Sequence, residues 1–257
     1  MEKINSVWIV STPRTGSMWT ANVVREIYKA YSYNVLPKTQ FHNDEEYLKF
    51  YTDNALQDKN DRNKYILKIH RRLSPKPPRS LLIANIRNPY DVCASYYEFT
   101  KCDLNKAIEI SAKLSIIVDH YRKLSKDLFE VRYEEIENRP EELIKRLANL
   151  CKAKLSLEQI KKIAVNFSKD NIKNLIESND QKIKLKIDNK QKIDDRNLIK
   201  TKTDNYRFFD LKTGFQTNHI SQRRTGEWKK VFSTKEIDEI TDKLDQIAVE
   251  FGYSKEK

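Results

Sequence analysis

Apolar and polar positions fall into blocks along this chain, and the blocks predict strands and helices in alternation. Val7-Trp8-Ile9-Val10 is a short, wholly apolar run of the kind a buried strand shows. Residues 11–17 follow as a loop and 18–30 as a helix. Strand, loop and helix in that order open a parallel α/β unit. Residues 43–56 read as a polar helix capped by Asn43 or Asp44. Residues 65–70 are a strand, and 71–79, with Pro75, Pro77 and Pro78, a connection. Residues 80–86 are the most apolar run and predict a central strand. Asn88 then caps a helix with Pro89 in its first position. Further along, 104–124 is an amphipathic helix and 128–133 a strand. Helices are predicted at 140–151, 156–164 and 234–251, the last closed by Gly252.

Residues 177–206 break this rhythm, with charge at nearly every second position. Within them Lys182-Ile183-Lys184-Leu185-Lys186-Ile187 alternates with period two, which predicts an edge strand guarded by lysines. The remainder, out to residue 215, reads as a mobile connection or lid. The fold class expected is α/β: one domain over residues 1–257, with a parallel sheet of four or five strands and helices on both sides.

Composition narrows the function classes. The chain has 257 residues, enough for a real core, and 39% of them are hydrophobic. No apolar run approaches the ~20 residues of a membrane helix, and residues 1–6 lack the pattern of a secretory signal. Three cysteines at Cys93, Cys102 and Cys151 show no metal spacing, so neither a disulfide scaffold nor a bound metal is expected. A reducing cytoplasm is the natural setting. The formal charge of +12 favours an anionic partner, although many lysines simply sit beside Glu or Asp. Only four glycines occur, at Gly16, Gly214, Gly226 and Gly252, so each is expected where the backbone needs one.

Two of these glycines lie in chemistry-bearing motifs. Ser11-Thr12-Pro13-Arg14-Thr15-Gly16-Ser17-Met18-Trp19 joins the first strand to the first helix. A helix start offers free N–H groups and a positive dipole end, Gly16 lets the backbone approach closely, Thr15 and Ser17 add hydroxyls and Arg14 a guanidinium. Together these make a phosphate or sulfate cradle. The GxxxxGK[ST] spacing of a nucleoside-triphosphatase loop is absent. Taken alone, the segment also reads as a plain turn with a serine cap.

Arg87 ends the apolar strand 80–86, at the edge where α/β sheets bind ligands, and Ser95 follows about two helical turns on. The alternative is an arginine paired with Asp91 and a routine helix serine. Lys68 and His70, two apart on one strand, share a side and face the same edge. A histidine near neutrality suits removal of a hydroxyl proton. A lone histidine is more often structural, and His42, His120 and His219 have no such context. Arg132-Tyr133-Glu134-Glu135 follows a strand, and Arg223-Arg224-Thr225-Gly226-Glu227-Trp228 precedes the last helix.

In this order the motifs resemble those of sulfotransferases that use 3′-phosphoadenosine 5′-phosphosulfate (PAPS). The first loop resembles the family's 5′-phosphosulfate loop, with Arg14, Thr15, Gly16 and Ser17 on the phosphosulfate positions and Trp19 where an aromatic stacks on adenine. Met18 stands where a hydroxyl residue is usual. Arg87-Asn88-Pro89 with Ser95 resembles the 3′-phosphate motif in both residue types and spacing. Lys68-Ile69-His70 resembles the K-x-H that carries the catalytic base, and Tyr133 falls in a segment near adenine. Gly226-Glu227-Trp228 matches the end of a cofactor-closing loop. There Ser221 and Gln222 replace the usual basic pair, leaving Arg223 or Arg224, with Thr225 and Gly226, to reach the 3′-phosphate. Residues 166–168 resemble an adenine-contacting segment.

The resemblance implies the P-loop sulfotransferase fold and transfer of a sulfuryl group from PAPS to a hydroxyl, or an amine, of a small molecule or glycan. It implies His70 as base, with Lys68 and Arg14 stabilising the transferring group. The acceptor-covering segment would be 177–215. A kinase on the same fold is disfavoured by the missing lysine and acidic metal site. A basic nucleic-acid-binding protein and a catalytically silent nucleotide-binding relative are the remaining alternatives.

Overall fold

The computed structural model describes residues 4–201, 206–221 and 223–253. The sequence expectations at residues 1–3 and 202–205 and at Gln222 lie outside the described residues. Strand β1 (Ser6–Val10) leads into helix α1 (Ser17–Ala30), followed by β2 (Asn34–Leu36), α2 (Asp44–Asn54), β3 (Asn63–Ile69) and β4 (Ser80–Ile86). Then come α3 (Pro89–Thr100), α4 (Leu104–Leu124), β5 (Phe129–Arg132), α5 (Tyr133–Asn138), α6 (Pro140–Leu150), α7 (Leu157–Asn166) and α8 (Lys169–Asp188). A short antiparallel ladder, β6 (Leu198–Ile199) with β7 (Arg207–Phe208), precedes the closing helix α9 (Thr234–Glu250).

The five long-range strands form one parallel sheet in the order β2-β3-β1-β4-β5. Strand β1 sits at its centre, with Ser6–Val10 paired to Tyr65–Ile69 on one side and to 80–84 on the other. Alternation along β1 serves two cores, because successive side chains leave opposite faces of a strand. Val7 and Ile9 pack with Ile27, Leu143 and Ile163 of α1, α6 and α7. Trp8 and Val10 pack with Tyr47, Leu114 and Tyr121 of α2 and α4. A third cluster joins α3, α4 and α9, and in it Trp228 stacks on Tyr90 at 4.7 Å between ring centroids. Strand β4 is buried at every position, as a mostly apolar central strand requires, and its one interior polar residue, Asn85, donates to Thr20 Oγ1 at 2.9 Å.

Three expectations are corrected. Residues 182–187 are the C-terminal part of α8, not an edge strand. The helix starts at a Ser168 cap that accepts from Asn171 N, and it buries Ile172 and Ile176 at helical spacing. Lys, Leu and Ile continue it, and Asp180 and Lys184 pair one turn apart. Leu185 and Ile187 are exposed, so their alternation reports no buried sheet face. Second, Tyr133 opens α5 rather than ending a strand. Third, β2, not foreseen, is a three-residue edge strand too short for a periodic signal. No described helix is long and apolar enough to cross a membrane.

Candidate functional site

The carboxyl ends of β1, β3 and β4 converge on one place, and the loop after β1 is built to meet it. Ser11 Oγ donates to Asn85 O at 2.5 Å and lies 2.7 Å from Thr15 Oγ1. Thr15 Oγ1 also donates to Thr12 O at 2.9 Å. The Thr15 hydroxyl is thus consumed inside the loop and braces it rather than facing a ligand. Gly16 caps α1 at φ 85°, in the left-handed region. A Cβ there would lie 2.7 Å from Ile136 Cδ1 and 3.0 Å from Tyr133 Cδ2. Gly16 therefore lets α5 close over the helix start.

Around this loop is a cavity of about 290 Å³. Arg14, Gly16, Ser17, Met18, Trp19, Arg87, Ser95 and Tyr133 all line it, so eight residues singled out in sequence meet around one cavity. Arg14, at φ 71°, turns its guanidinium across the cavity. Its Nε donates to Ser95 Oγ at 3.0 Å, its NH2 donates to His219 O at 2.8 Å, and it lies 4.3 Å over the Phe99 ring. Burial first, then the neighbouring Arg87, lowers the Arg14 pKa to about 9. Arg87 NH1 donates to Arg14 O at 2.9 Å, and its guanidinium stacks 3.9 Å over the Tyr133 ring. Its buried Nε has no hydrogen-bond partner among the described residues. Arg87 is not consumed by Asp91, whose Oδ2 accepts instead from Gly226 N at 2.8 Å.

The far wall is apolar. Trp19 lies across it, its Nε1 donating to Phe167 O at 3.0 Å, with Phe167, Ser168 and Ile172 alongside. The segment 166–168 thus does reach the cavity. Met18 meets Gly214, where a Cβ would come within 2.5 Å of Met18 Cε. The turn at Gly214 follows β7, and Thr217 of the same stretch donates to Asp180 of α8 at 2.9 Å.

Lys68 and His70 stand next to the loop. His70 lies one residue past β3, and its backbone N donates to Asp44 Oδ2 at 2.9 Å. His70 Nδ1 donates to Ser11 O at 2.7 Å, which leaves Nε2 as the bare nitrogen, facing Lys68 Nζ at 3.0 Å. Burial and then Lys68 lower the His70 pKa to about 3. Burial lowers Lys68 to about 8. The imidazole is therefore neutral at physiological pH, with its lone pair oriented by a backbone carbonyl.

The C-terminal loop is placed otherwise. Arg223 donates twice to Glu98 Oε2, at 2.9 and 2.6 Å, and lies 4.0 Å from Asp91. The Arg224 side chain is exposed. Thr225 donates to Glu137 and Gly226 to Asp91. Ser221 reaches the cavity wall from this loop, whereas Arg223, Arg224, Thr225 and Gly226 do not. Sequence reasoning also missed His219, Lys169 and Glu137, which line the cavity. His219 lies just past the segment 177–215 and belongs to no motif read in the sequence. Lys169 sits on the helix that was expected elsewhere to be a strand. No group of three or more His, Cys, Asp or Glu among the described residues is arranged to hold a metal.

The family model described as the sulfotransferase domain matches residues 5–248. The fold is similar to that of retinol dehydratase in complex with androsterone and inactive cofactor PAP (TM-score 0.60, 14% identity, 100% of this chain and 83% of that one). It is likewise similar to mouse sulfotransferase SULT7A1 complexed with PAP (TM-score 0.61, 15% identity, 95% of this chain and 85% of that one). No curated protein matches the chain in sequence.

Proposed function

The chain belongs to the sulfotransferase domain family, and from that premise we propose that it moves a sulfuryl group from PAPS to a hydroxyl of a small-molecule acceptor, with His70 as the base. The observation that carries this is the meeting of Arg14, Arg87 and Ser95 in one cavity at the carboxyl ends of β1 and β4, with the oriented His70–Lys68 pair outside its lining at the end of β3, tied to the same loop through Ser11 O. Structures of similar fold were determined with PAP, and those of retinol dehydratase also with androsterone or retinol. These support the reading of a PAPS site and of a small acceptor. An amine or glycan acceptor is the weaker alternative.

The residues fit the ligand. Arg87 and Ser95 both line the cavity, and the buried Nε of Arg87 has no hydrogen-bond partner among the described residues, which fits a phosphate ligand. Trp19 and Phe167 give an adenine ring flat apolar surface. The α1 N-terminus and Gly16 offer free N–H groups to the 5′-phosphosulfate. When bound, PAPS supplies an electrophilic sulfur that passes from the 5′-phosphate oxygen to the acceptor oxygen in an in-line displacement.

His70 Nε2 accepts the acceptor's hydroxyl proton as the new oxygen–sulfur bond forms. Its anchored Nδ1–H keeps the lone pair aimed while this happens. Lys68, freed from Nε2 by that protonation, turns its ammonium to the charge left on the departing phosphate. Arg14 does the same from the loop side. Arg87 and Ser95 hold the 3′-phosphate and so distinguish the ligand from AMP or ATP.

The test is His70→Ala, with conversion of PAPS to PAP followed in the presence of p-nitrophenol. We expect a rate loss on the order of 10²–10⁴-fold with PAP affinity unchanged within about threefold. Equal loss of turnover and PAP binding would remove His70 from the role of base. PAP binding without any wild-type turnover would favour a silent nucleotide-binding relative.

A further inference from the structure

The cavity holds a polar side chain that the transfer chemistry above leaves unused. His219 follows Asn218, which bends the chain at φ 61°, and lines the cavity together with Arg14, Ser95 and Phe215. Its ring is wedged between two phenyl rings, edge-on to Phe215 at 5.4 Å and tilted to Phe99 at 5.9 Å. Its carbonyl is the acceptor for Arg14 NH2. Nδ1 is shut off from solvent and has no hydrogen-bond partner among the described residues. Burial first, and then the charges of Arg14 and Lys68, hold this imidazole in its neutral form.

A neutral imidazole carries one N–H and one bare nitrogen. A buried N–H with no acceptor is rarer in proteins than an under-satisfied acceptor. The tautomer favoured here therefore keeps Nδ1 bare and puts the proton on Nε2. That leaves a wedged N–H donor in the cavity wall, on the residue whose carbonyl holds Arg14.

We propose that His219 is a second imidazole of the transfer site, whose Nε2–H donates a hydrogen bond to a non-bridging oxygen of the sulfuryl group during transfer. The proposal rests on the PAPS reading above. The site favours an uncharged donor in this position. Arg14 and Lys68 already place two cations at the reacting centre, with Arg87 behind them, and a further cation would be repelled and would hold Arg14 less well. A neutral N–H adds stabilisation to oxygens on which charge is redistributed, without that repulsion. A role as the base fits less well. His70 has its Nδ1–H fixed on a carbonyl, which aims the opposite nitrogen, whereas His219 has no such anchor on Nδ1.

Two variants separate the donor from the wedge. His219→Phe keeps an aromatic ring between Phe99 and Phe215 and removes the N–H, and His219→Gln restores an N–H donor. Single-turnover conversion of PAPS to PAP with p-nitrophenol is measured beside calorimetric binding of PAP. In His219→Phe the rate is expected to fall roughly 30- to 300-fold. PAP affinity and the p-nitrophenol KM should stay within about threefold, and His219→Gln should recover about a tenth or more of the wild-type rate. A rate in His219→Phe within threefold of wild type overturns the proposal. So does a loss of PAP affinity equal to the loss of rate, which would make the ring a structural wedge only. Nitrogen-15 spectra of histidine-labelled wild type give an independent readout. The His219 Nε2 resonance should shift with PAPS and not with PAP. An unchanged resonance in protein saturated with PAPS overturns the proposal while leaving the PAPS reading standing. A wild type that binds neither nucleotide overturns that reading itself.

Discussion

The loop at residues 11–17 and the loop at 221–226 carry similar chemistry, and the fold uses them differently. Each has hydroxyls, arginine and a glycine at positive φ. The first lies between a central strand and a helix start. There, parallel pairing to β3 and β4 fixes where it ends, and Ser11 and Thr15 brace it from within. Arg14 consequently reaches the cavity. The second loop lies outside the sheet. Its Arg223 is captured by Glu98 and Asp91, and its Thr225 by Glu137. A guanidinium is held by the nearest carboxylate, here through two donors to one oxygen of Glu98. Whether an arginine in a motif is available to a ligand is thus decided by acidic residues elsewhere in the chain, here on α3 and α5.

The largest effect expected from this contrast is on PAP binding. Arg87→Ala should weaken it by about 2–3 kcal/mol, the scale of a lost charged hydrogen bond. Arg224→Ala, on the other loop, should change it by less than about twofold. Calorimetry on the two variants checks this, and comparable losses would mean that the C-terminal loop closes onto the ligand.

A second effect follows from the neutral imidazole of the first region. Burial and Lys68 hold His70 to about 3, below the value of about 6.5 it regains on unfolding. Between these values the unfolded chain binds the extra proton, so stability is full above about pH 6.5 and is lost as pH falls. At about pH 5.5 the loss is about 1.4 kcal/mol for this imidazole. His219, whose value burial and Arg14 also depress, adds to it in the same direction. Urea unfolding at pH 8 and pH 5.5 should show this slope in wild type and a shallower one in His70→Gln. Identical slopes would mean that His70 is not held neutral.

The smallest effect sharpens the contrast from the other side. Glu98→Gln loosens the pair that occupies Arg223. If the arginine is withheld only by that carboxylate, PAP affinity should rise about threefold to tenfold, the gain from one charge-assisted contact. Unchanged affinity would place Arg223 beyond reach of the ligand.

How much was legible in the sequence follows the same division. The mostly apolar strands β1 and β4 and the cap at Asn88 were readable because burial on both faces and capping leave local signatures. So was the grouping of Arg14, Gly16, Arg87 and Ser95 around one cavity, since each lies at a strand end or within about two turns of one. The inward turn of the Thr15 hydroxyl had no sequence signal, because its partner, Thr12 O, is set by loop geometry. Helix α8 was misread because an exposed lysine-rich helix and an exposed edge strand share one composition, and only the burial of Ile172 and Ile176 separates them. His219 carried no local signal. It reaches the cavity by being folded back between Phe99 and Phe215, more than a hundred residues from the first of them.

The central claim is that the cavity selects a 3′-phosphorylated adenine nucleotide. Titrating the wild-type protein with PAP, AMP and ATP in one buffer at moderate salt tests it most directly. The structure predicts that PAP binds at least about tenfold more tightly than AMP, the scale of one satisfied arginine–phosphate contact, with ATP no better than AMP. Equal affinities for PAP and AMP would contradict it, because Arg87 and Ser95 would then have no phosphate to hold.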